Sequence, residues 1–243
     1  MGDLSGIVFD GNQIIRQGSQ YYEWYGYKSD GLFQSDEDIA NSALLNTNVK
    51  PGDVKYKDIS GPEGKPDGKI TPEYDRVLLG GSTPRYQYGG NINIGYKNFN
   101  LSMAFQGLGQ HKVLMTADMV YQTVAWYNFP KFYDKSHWST YNTAEENANA
   151  KYPRLSQLQY TANNYKMSDF WLFNGAYFRM KNVTLNYNVP AKLTEKFDIK
   201  KMNVYASVTD PFSIDHYPQG WDPEASESAY IARTWNFGVS ITF

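Results

Sequence analysis

The sequence predicts an all-β chain: antiparallel strands from the wall of a transmembrane β-barrel, with long loops on the extracellular side. Three observations predict it. Five segments alternate apolar and polar residues with period two, as half-buried strands require. The polar positions of those segments hold almost no charge. Short and long connections alternate along the chain, which suits barrels with short periplasmic turns and long external loops.

The elements follow in chain order. Residues 1–33 read as an N-terminal β segment, in which 18–33 (GSQYYEWYGYKSDGLF) suggests a sixth strand rising into the first long loop. Residues 34–84 form that loop. Within it, Ser35 followed by Asp36, Glu37 and Asp38 predicts a capped helix start and a short surface helix to about Leu45. Residues 85–243 hold the barrel strands. Tyr86, Tyr88, Ile92, Ile94 and Tyr96 share one face against Gln87, Gly89, Asn91, Asn93 and Gly95. After the tight link Lys97-Asn98, Phe99, Leu101, Met103 and Phe105 alternate with Asn100, Ser102, Ala104 and Gln106. A long loop at 110–176 precedes Val183, Leu185, Tyr187 and Val189, which oppose Asn182, Thr184, Asn186 and Asn188. The short charged link 190–200 leads to Val204, Ala206 and Val208, with Tyr205 on the polar side. A last long loop at 213–232 precedes Trp235, Phe237, Val239, Ile241 and Phe243, opposed by Asn236, Gly238, Ser240 and Thr242.

The polar faces are built of Asn, Ser, Thr, Gln and Gly. An ordinary antiparallel sandwich, the alternative, carries Lys and Glu on its outer face. Small uncharged polar residues suit a wet lumen, with the apolar face turned to lipid.

Composition narrows the function. The 243 residues carry a net charge of −2, leaving no basic surface for nucleic acid. Cysteine is absent, which excludes disulfides, thiolate metal sites and thiol nucleophiles. The three histidines, His111, His137 and His216, share no metal-binding spacing. Mean hydropathy is −0.60, and no run approaches the roughly 18 apolar residues of a membrane helix. Aromatic residues are 16% of the chain, a bias that fits barrel girdles or sugar-stacking surfaces. No positioned carboxylate pair or Ser–His arrangement emerges, so catalysis is not expected.

One stretch carries metal chemistry. Residues 58–76, DISGPEGKPDGKITPEYDR, contain the core of a calcium loop. Asp67 supplies an acid, Gly68 the sharp turn, Lys69 a main-chain carbonyl and Ile70 the apolar anchor. Asp58 and Ser60 would supply earlier oxygens and Asp75 the closing carboxylate. GPEGKP (61–66) is an insertion in this pattern and Asp75 falls one place late, so the alternative is a Gly/Pro-rich turn with solvated acids. No cofactor is required; Ca2+ is the one candidate. Among loop aromatics, Trp126, Trp138, Trp171 and Trp221 are the candidates for stacking on substrate, with packing of the loops themselves as the alternative.

Together these segments resemble the C-terminal part of SusC-like TonB-dependent outer-membrane transporters (the SusC/RagA family) of Bacteroidetes. The residues that carry the resemblance are WYGYKSDGLFQSDEDI (24–39), PGDVKYKDISG (51–61), DGKITPEYDRVLLGGSTPRYQYGGNINIGYKNFNLSMAFQGLG (67–109), SDFWLFNGAYFRMKNVTLNYNVP (168–190) and ARTWNFGVSITF (232–243). The resemblance implies the last five or six strands of a barrel of about 22. It also implies import of oligosaccharides or peptides, a SusD-like lipoprotein lid, and energy from TonB through an N-terminal part not matched here. Strand 235–243, with Trp235, Phe237, Val239, Ile241 and Phe243, would then close the barrel and carry its assembly signal. Since the smallest barrels need about eight strands, the chain is expected to be a piece of a larger protein. The alternative from another class is a soluble, calcium-stabilised glycan-binding β domain.

Overall fold

The computed structural model describes residues 8–115, 133–134, 136–155, 163–218, 220–225 and 231–243. These divide into two compact units, one of residues 1–83 with 111–173 and one of 84–110 with 174–243.

In the first unit, β1 (Val8–Asp10), β2 (Gln13–Ile15), β3 (Glu23–Tyr27) and β6 (Arg76–Gly81) form a four-stranded sheet. A separate ladder pairs β4 (Ser29–Leu32) with β5 (Val54–Tyr56). Residues 18–33 therefore do not form one continuous strand. They are divided between β3 and β4, which belong to different sheets. Helix α1 (Asp36–Ala40) begins as expected, with the Ser35 hydroxyl accepting from Asp38 N at 3.1 Å, and ends five residues short of Leu45. Its polar sequence, DEDIA, supplies no buried residue to lengthen it.

The core of this unit gathers Tyr27, Leu32, Val54, Tyr56, Ile70 and Trp138. A polar network crosses it. Asp53, buried, pairs with Arg154 at 2.8 Å and accepts from Asn164 Nδ2 at 3.0 Å. Asn164 Oδ1 accepts from Val54 N at 2.8 Å, and Tyr56 donates to Asn163 O at 2.6 Å. Asp53, Asn163, Asn164 and Tyr56 thus regain partners they lost in leaving water. Gly52, at φ +88°, lies so close to Trp138 that a Cβ would strike the indole.

The second unit is one five-stranded antiparallel sheet. Its order is β13 (Thr234–Thr242), β12 (Lys201–Ile214), β11 (Tyr177–Asn188), β8 (Phe99–Leu108) and β7 (Gln87–Tyr96). The remaining strands, β9 (Lys112–Leu114) and β10 (Leu172–Asn174), pair with each other. The two-residue link Lys97-Asn98, with Lys97 at φ +52°, closes the β7–β8 hairpin. Helix α2 (Ala144–Ala148) lies in the connection between β8 and β11, and helix α3 (Ala191–Thr194) in the short link between β11 and β12.

Register converts the alternation of each strand into rows across the sheet. Ile94, Leu101, Leu185, Ala206 and Phe237 are successive partners in one row. Ile92, Met103, Val183, Val208 and Trp235 form another, also apolar. Between them runs Asn93, Ser102, Thr184, Ser207 and Asn236, pointing to the opposite face. Hydrogen bonds knit the polar face: Thr184 Oγ1 lies 2.8 Å from Ser207 Oγ, and Asn203 Nδ2 donates to Asn188 Oδ1 at 3.0 Å.

Glycines in these rows serve neighbouring rings. Tyr205 lies across its partner Gly238, where a Cβ would collide with the ring. Tyr88 likewise covers Gly107 and donates to Tyr177 O at 3.0 Å. Aromatic cover of this kind compensates a strand glycine for its missing side chain. Gly238→Val should displace the Tyr205 ring and destabilise β12–β13 pairing by about 1–3 kcal/mol. This reads as faster hydrogen exchange of the β12–β13 amides, while Ser240→Val leaves the exchange nearly unchanged.

Candidate functional site

The five-stranded sheet differs from a sandwich layer in what covers its apolar face. Ile92, Ile94, Tyr96, Phe99, Leu185, Val204, Trp235, Phe237, Val239 and Ile241 are all exposed, Phe237 to 74%. Scattered surface apolar residues are ordinary, but a contiguous face of them marks an interaction surface. The expected closing residues Trp235, Phe237, Val239 and Ile241 all lie on this face of β13, and Phe243 follows the strand, exposed. No helix among the described residues is long and apolar enough to cross a membrane, a test that does not address strands.

At the end of the sheet where the long connections leave, the strands run further than sequence alternation indicates. In β11 the register shifts between Met180 and Asn182 against both neighbours. The extra residue, Lys181, resets the alternation, so Met180 and Val183 share the apolar face while Arg179, Lys181 and Asn182 take the polar one. Bulges often re-aim side chains in this way. Opposite it, β12 carries Asp210 at φ +49° followed by Pro211, which has no N–H to give a ladder.

These two irregularities bring a charged cluster together. Lys181 Nζ reaches Asp210 at 2.7 Å and Glu224 at 2.9 Å. Arg179, 3% exposed, donates to Asp222 and lies 3.6 Å from Glu224 and 3.7 Å from Asp210. Gln106 Nε2 donates to Glu224 Oε1 at 2.7 Å. The cluster fastens the connection before β13, through Asp222 and Glu224, to the polar face of β8, β11 and β12. Burial on its own would raise both loop carboxyls. The Arg179 hydrogen bond overrides this at Asp222, and those from Lys181 and Gln106 do so at Glu224, so both are held below the ordinary carboxylate range. Sequence reasoning missed this cluster. Its trace was there in Arg179-x-Lys181 at the start of a strand that is otherwise uncharged, and in Asp210-Pro211 near the end of its partner.

The other predicted site residues fall in different places. Trp138 and Trp171, expected on a substrate surface, are buried at 8% and 3%. Trp138 belongs to the first unit's core, and Trp171 Nε1 donates to Asn164 O at 2.6 Å, so neither offers an open ring face. Trp221 is half-buried beside Asp222. Trp126 lies outside the described residues. Among the described residues of that connection, Tyr141 is the exposed aromatic, at 98%.

In the acidic turn, Asp75 is fully buried and its carboxylate accepts from three main-chain amides: Ile59 at 2.7 Å, Ser60 at 3.1 Å and Thr71 at 2.7 Å. These three bonds fasten the turn. Asp58 Oδ2 accepts from Gly68 N at 2.6 Å, while Asp58 Oδ1 is buried without a hydrogen-bond partner. Asp67 packs its carboxylate on Gly61 and accepts from Lys69 N at 3.0 Å. Ser60 is half-buried and Lys69 exposed. Among the described residues no three acidic or histidine side chains converge as a preformed metal cluster, so an ion here would depend on main-chain and water oxygens as well.

With the sheet and its faces defined, comparison with known proteins is informative. No protein-family profile matches the chain. Two curated proteins of Formosa agariphila, both named TonB-dependent receptors, align with it at 27% identity. One alignment runs over 227 residues, 88% of this chain, and the other over 252 aligned positions, 97% of it. The chain is a homologue of TonB-dependent receptors. It spans 20% and 24% of the length of those two relatives. Among solved structures, the RagAB peptide transporter matches 96% of the chain with a TM-score of 0.65 at 15% identity. The RagAB peptide importer in its open-open state matches 97% with a TM-score of 0.63 at 16% identity. Each covers the chain with 24% of its own length, so the fold is a sector of a much larger one.

The charged cluster gives a prediction. Arg179→Met leaves Asp222 without its cation and Asp210 and Glu224 with Lys181 alone, and breaking a buried pair in this way costs about 3–5 kcal/mol. The 220–225 segment should become sensitive to protease in the intact, folded protein. The pH sign follows from the depressed carboxyls: the fastening is complete above the ordinary carboxylate range and is lost as pH falls through their lowered values. Proteolysis or hydrogen exchange of 220–225 against pH checks this, and a loss of protection already within or above the ordinary carboxylate range contradicts it.

Proposed function

We propose that this chain is a wall segment of a SusC-like, TonB-dependent importer in the outer membrane of a Gram-negative bacterium of the Bacteroidetes. The single observation that carries the reading is the exposed apolar face held in register across five strands. A sheet with one such face has no stable home in water, whereas a bilayer takes it without a covering layer. The homology to TonB-dependent receptors supports the same reading, and so does the origin of those relatives in Formosa agariphila. In this scheme the opposite face, of Asn, Ser, Thr and Gln, lines the barrel interior.

Cargo on this reading is a peptide or an oligosaccharide. The fold neighbours described as peptide importers support the first, and an uncharged wall of hydrogen-bonding side chains suits either. A SusD-like lipoprotein would cap the extracellular side, reached by the connections 34–84, 110–176 and 213–232. TonB would act through a part of the receptor outside this chain, and β13 would complete the barrel. A soluble glycan-binding domain fits less well, because it leaves the apolar rows in water and two of the four proposed stacking tryptophans are buried.

For the acidic turn we propose calcium held by Asp58, Asp67 and the Lys69 carbonyl, without Asp75. The supporting observation is the unpartnered Asp58 Oδ1. Calcium should raise the melting temperature of the intact protein, and Asp58→Asn should abolish the rise. A parent protein indifferent to calcium removes this proposal.

The membrane reading is tested on the two faces of one strand. In the intact receptor, Val239→Arg or Ile241→Arg should cost about 2–4 kcal/mol and reduce the assembled, heat-modifiable form. Ser240→Arg, on the opposite face, should assemble normally. Equal tolerance at all three positions, with the protein in a soluble fraction, would favour the glycan-binding domain.

A further inference from the structure

The short link between β11 and β12 is more than a turn. Helix α3 continues into a 3-10 turn, Glu195–Phe197, which ends at Asp198 with φ +57°. Thr194 is buried and its hydroxyl donates to Ala191 O at 3.2 Å, so one side of this short helical segment rests on the protein. Leu193, in the helix, and Phe197, at the end of the 3-10 turn, are exposed to 62% and 70%. Large apolar side chains are out of place here, because four of the other six residues of the segment are charged: Lys192, Glu195, Lys196 and Asp198.

Register brings other residues to the same end of the sheet. Tyr96, Phe99, Tyr187, Val204 and Val239 form the last complete apolar row. Next to it, Asn98 and Asn188 exchange hydrogen bonds, and Lys201 lies opposite Thr242. Lys97 holds its ammonium 5.3 Å from the centre of the exposed Tyr96 ring. Lys200 is tied to the Phe243 main-chain oxygen at 3.0 Å. Lys97, Lys192, Lys196 and Lys201 are all exposed, with Glu195 and Asp198 as the acids of the link. An aromatic row, two exposed apolar anchors and an excess of lysine thus meet at one edge of the apolar face.

We propose that this link is an interfacial anchor that binds anionic phospholipid. Leu193 and Phe197 enter the boundary between headgroups and acyl chains, and the four lysines engage lipid phosphates. The partner follows from continuity with the apolar face and from charge: interfacial segments combine a buried apolar side with lysines that attract anionic headgroups. The proposal rests on the membrane reading above, and its test is arranged to separate the two.

This chain contains no cysteine, so introduced cysteines can carry nitroxide labels without native competition from it. In the intact receptor in phosphatidylethanolamine nanodiscs, labels at Leu193→Cys, Phe197→Cys and Val239→Cys are compared by oxygen and nickel-chelate accessibility. All three should favour oxygen, with 193 and 197 shallower than 239. Adding phosphatidylglycerol should raise the oxygen preference at 193 and 197 by about twofold, and Lys192→Glu with Lys196→Glu should remove that gain. Chelate-accessible labels at 193 and 197, with 239 in lipid, overturn the anchor and leave the membrane reading standing. Chelate access at all three overturns both. Labels at 193 and 197 shielded from both reagents mean that protein covers the link, which overturns the lipid assignment. A lipid depth indifferent to phosphatidylglycerol overturns the role of the lysines.

Discussion

Strand register is the constraint on which the second unit depends. A slip of one residue between any two of its strands would set an apolar row against a polar one and mix the chemistry of the two faces. The Lys97-Asn98 hairpin restricts β7 against β8, and side-chain bonds such as Thr184 with Ser207 favour one alignment of β11 with β12. Tyr205 over Gly238 does the same between β12 and β13, because moving either residue by one position places a Cβ where the ring lies. Lys181 shows how an exception is accommodated. One added residue at a bulge lets two cations enter the polar face without moving Met180 or Phe178 off the apolar one.

The two units are stabilised by different means. In the first, burial of Tyr27, Val54, Tyr56 and Trp138 is combined with satisfied polar groups such as Asp53 and Asn164, as in any soluble core. In the second, side chains on both faces of the outer strands stay exposed, and stability comes from ladders and from cross-strand pairs such as Phe105 with Phe178 and Phe99 with Tyr187. That contrast explains why a chain of modest hydropathy can contain so large an apolar surface: only alternate residues of five strands contribute to it.

Much of the sheet was legible in the sequence because a strand with unlike faces writes its period directly into residue order. The five strands lie where the alternation places them, with Lys97-Asn98 as the tight turn. What was not legible depends on tertiary partners. The segment 177–181 breaks the period at Lys181, and only pairing with β8 and β12 reveals it as strand. Trp138 and Trp171 look like stacking rings in a loop rich in aromatics, yet Gly52, far away in sequence, lies against the Trp138 indole, and Trp171 is buried with its Nε1 bonded to Asn164 O. Asp75 has the residue type of a metal ligand. Three main-chain amides determine its actual task, and main-chain geometry leaves no mark in a list of side chains. Residues 18–33 carry aromatic strand formers, but a local pattern does not say which sheet they join.

The outer strands of the sheet have a further consequence. Among the described residues, β7 and β13 each pair on one side only, which leaves a comb of main-chain donors and acceptors along the other. Neither strand contains a proline or a charged residue, the usual guards against unwanted pairing. Before assembly, these edges are templates for sideways growth into fibrils from any chain with a matching strand. Handling such a chain after synthesis is therefore a problem of timing and escort: the exposed combs must be shielded until their proper neighbours arrive.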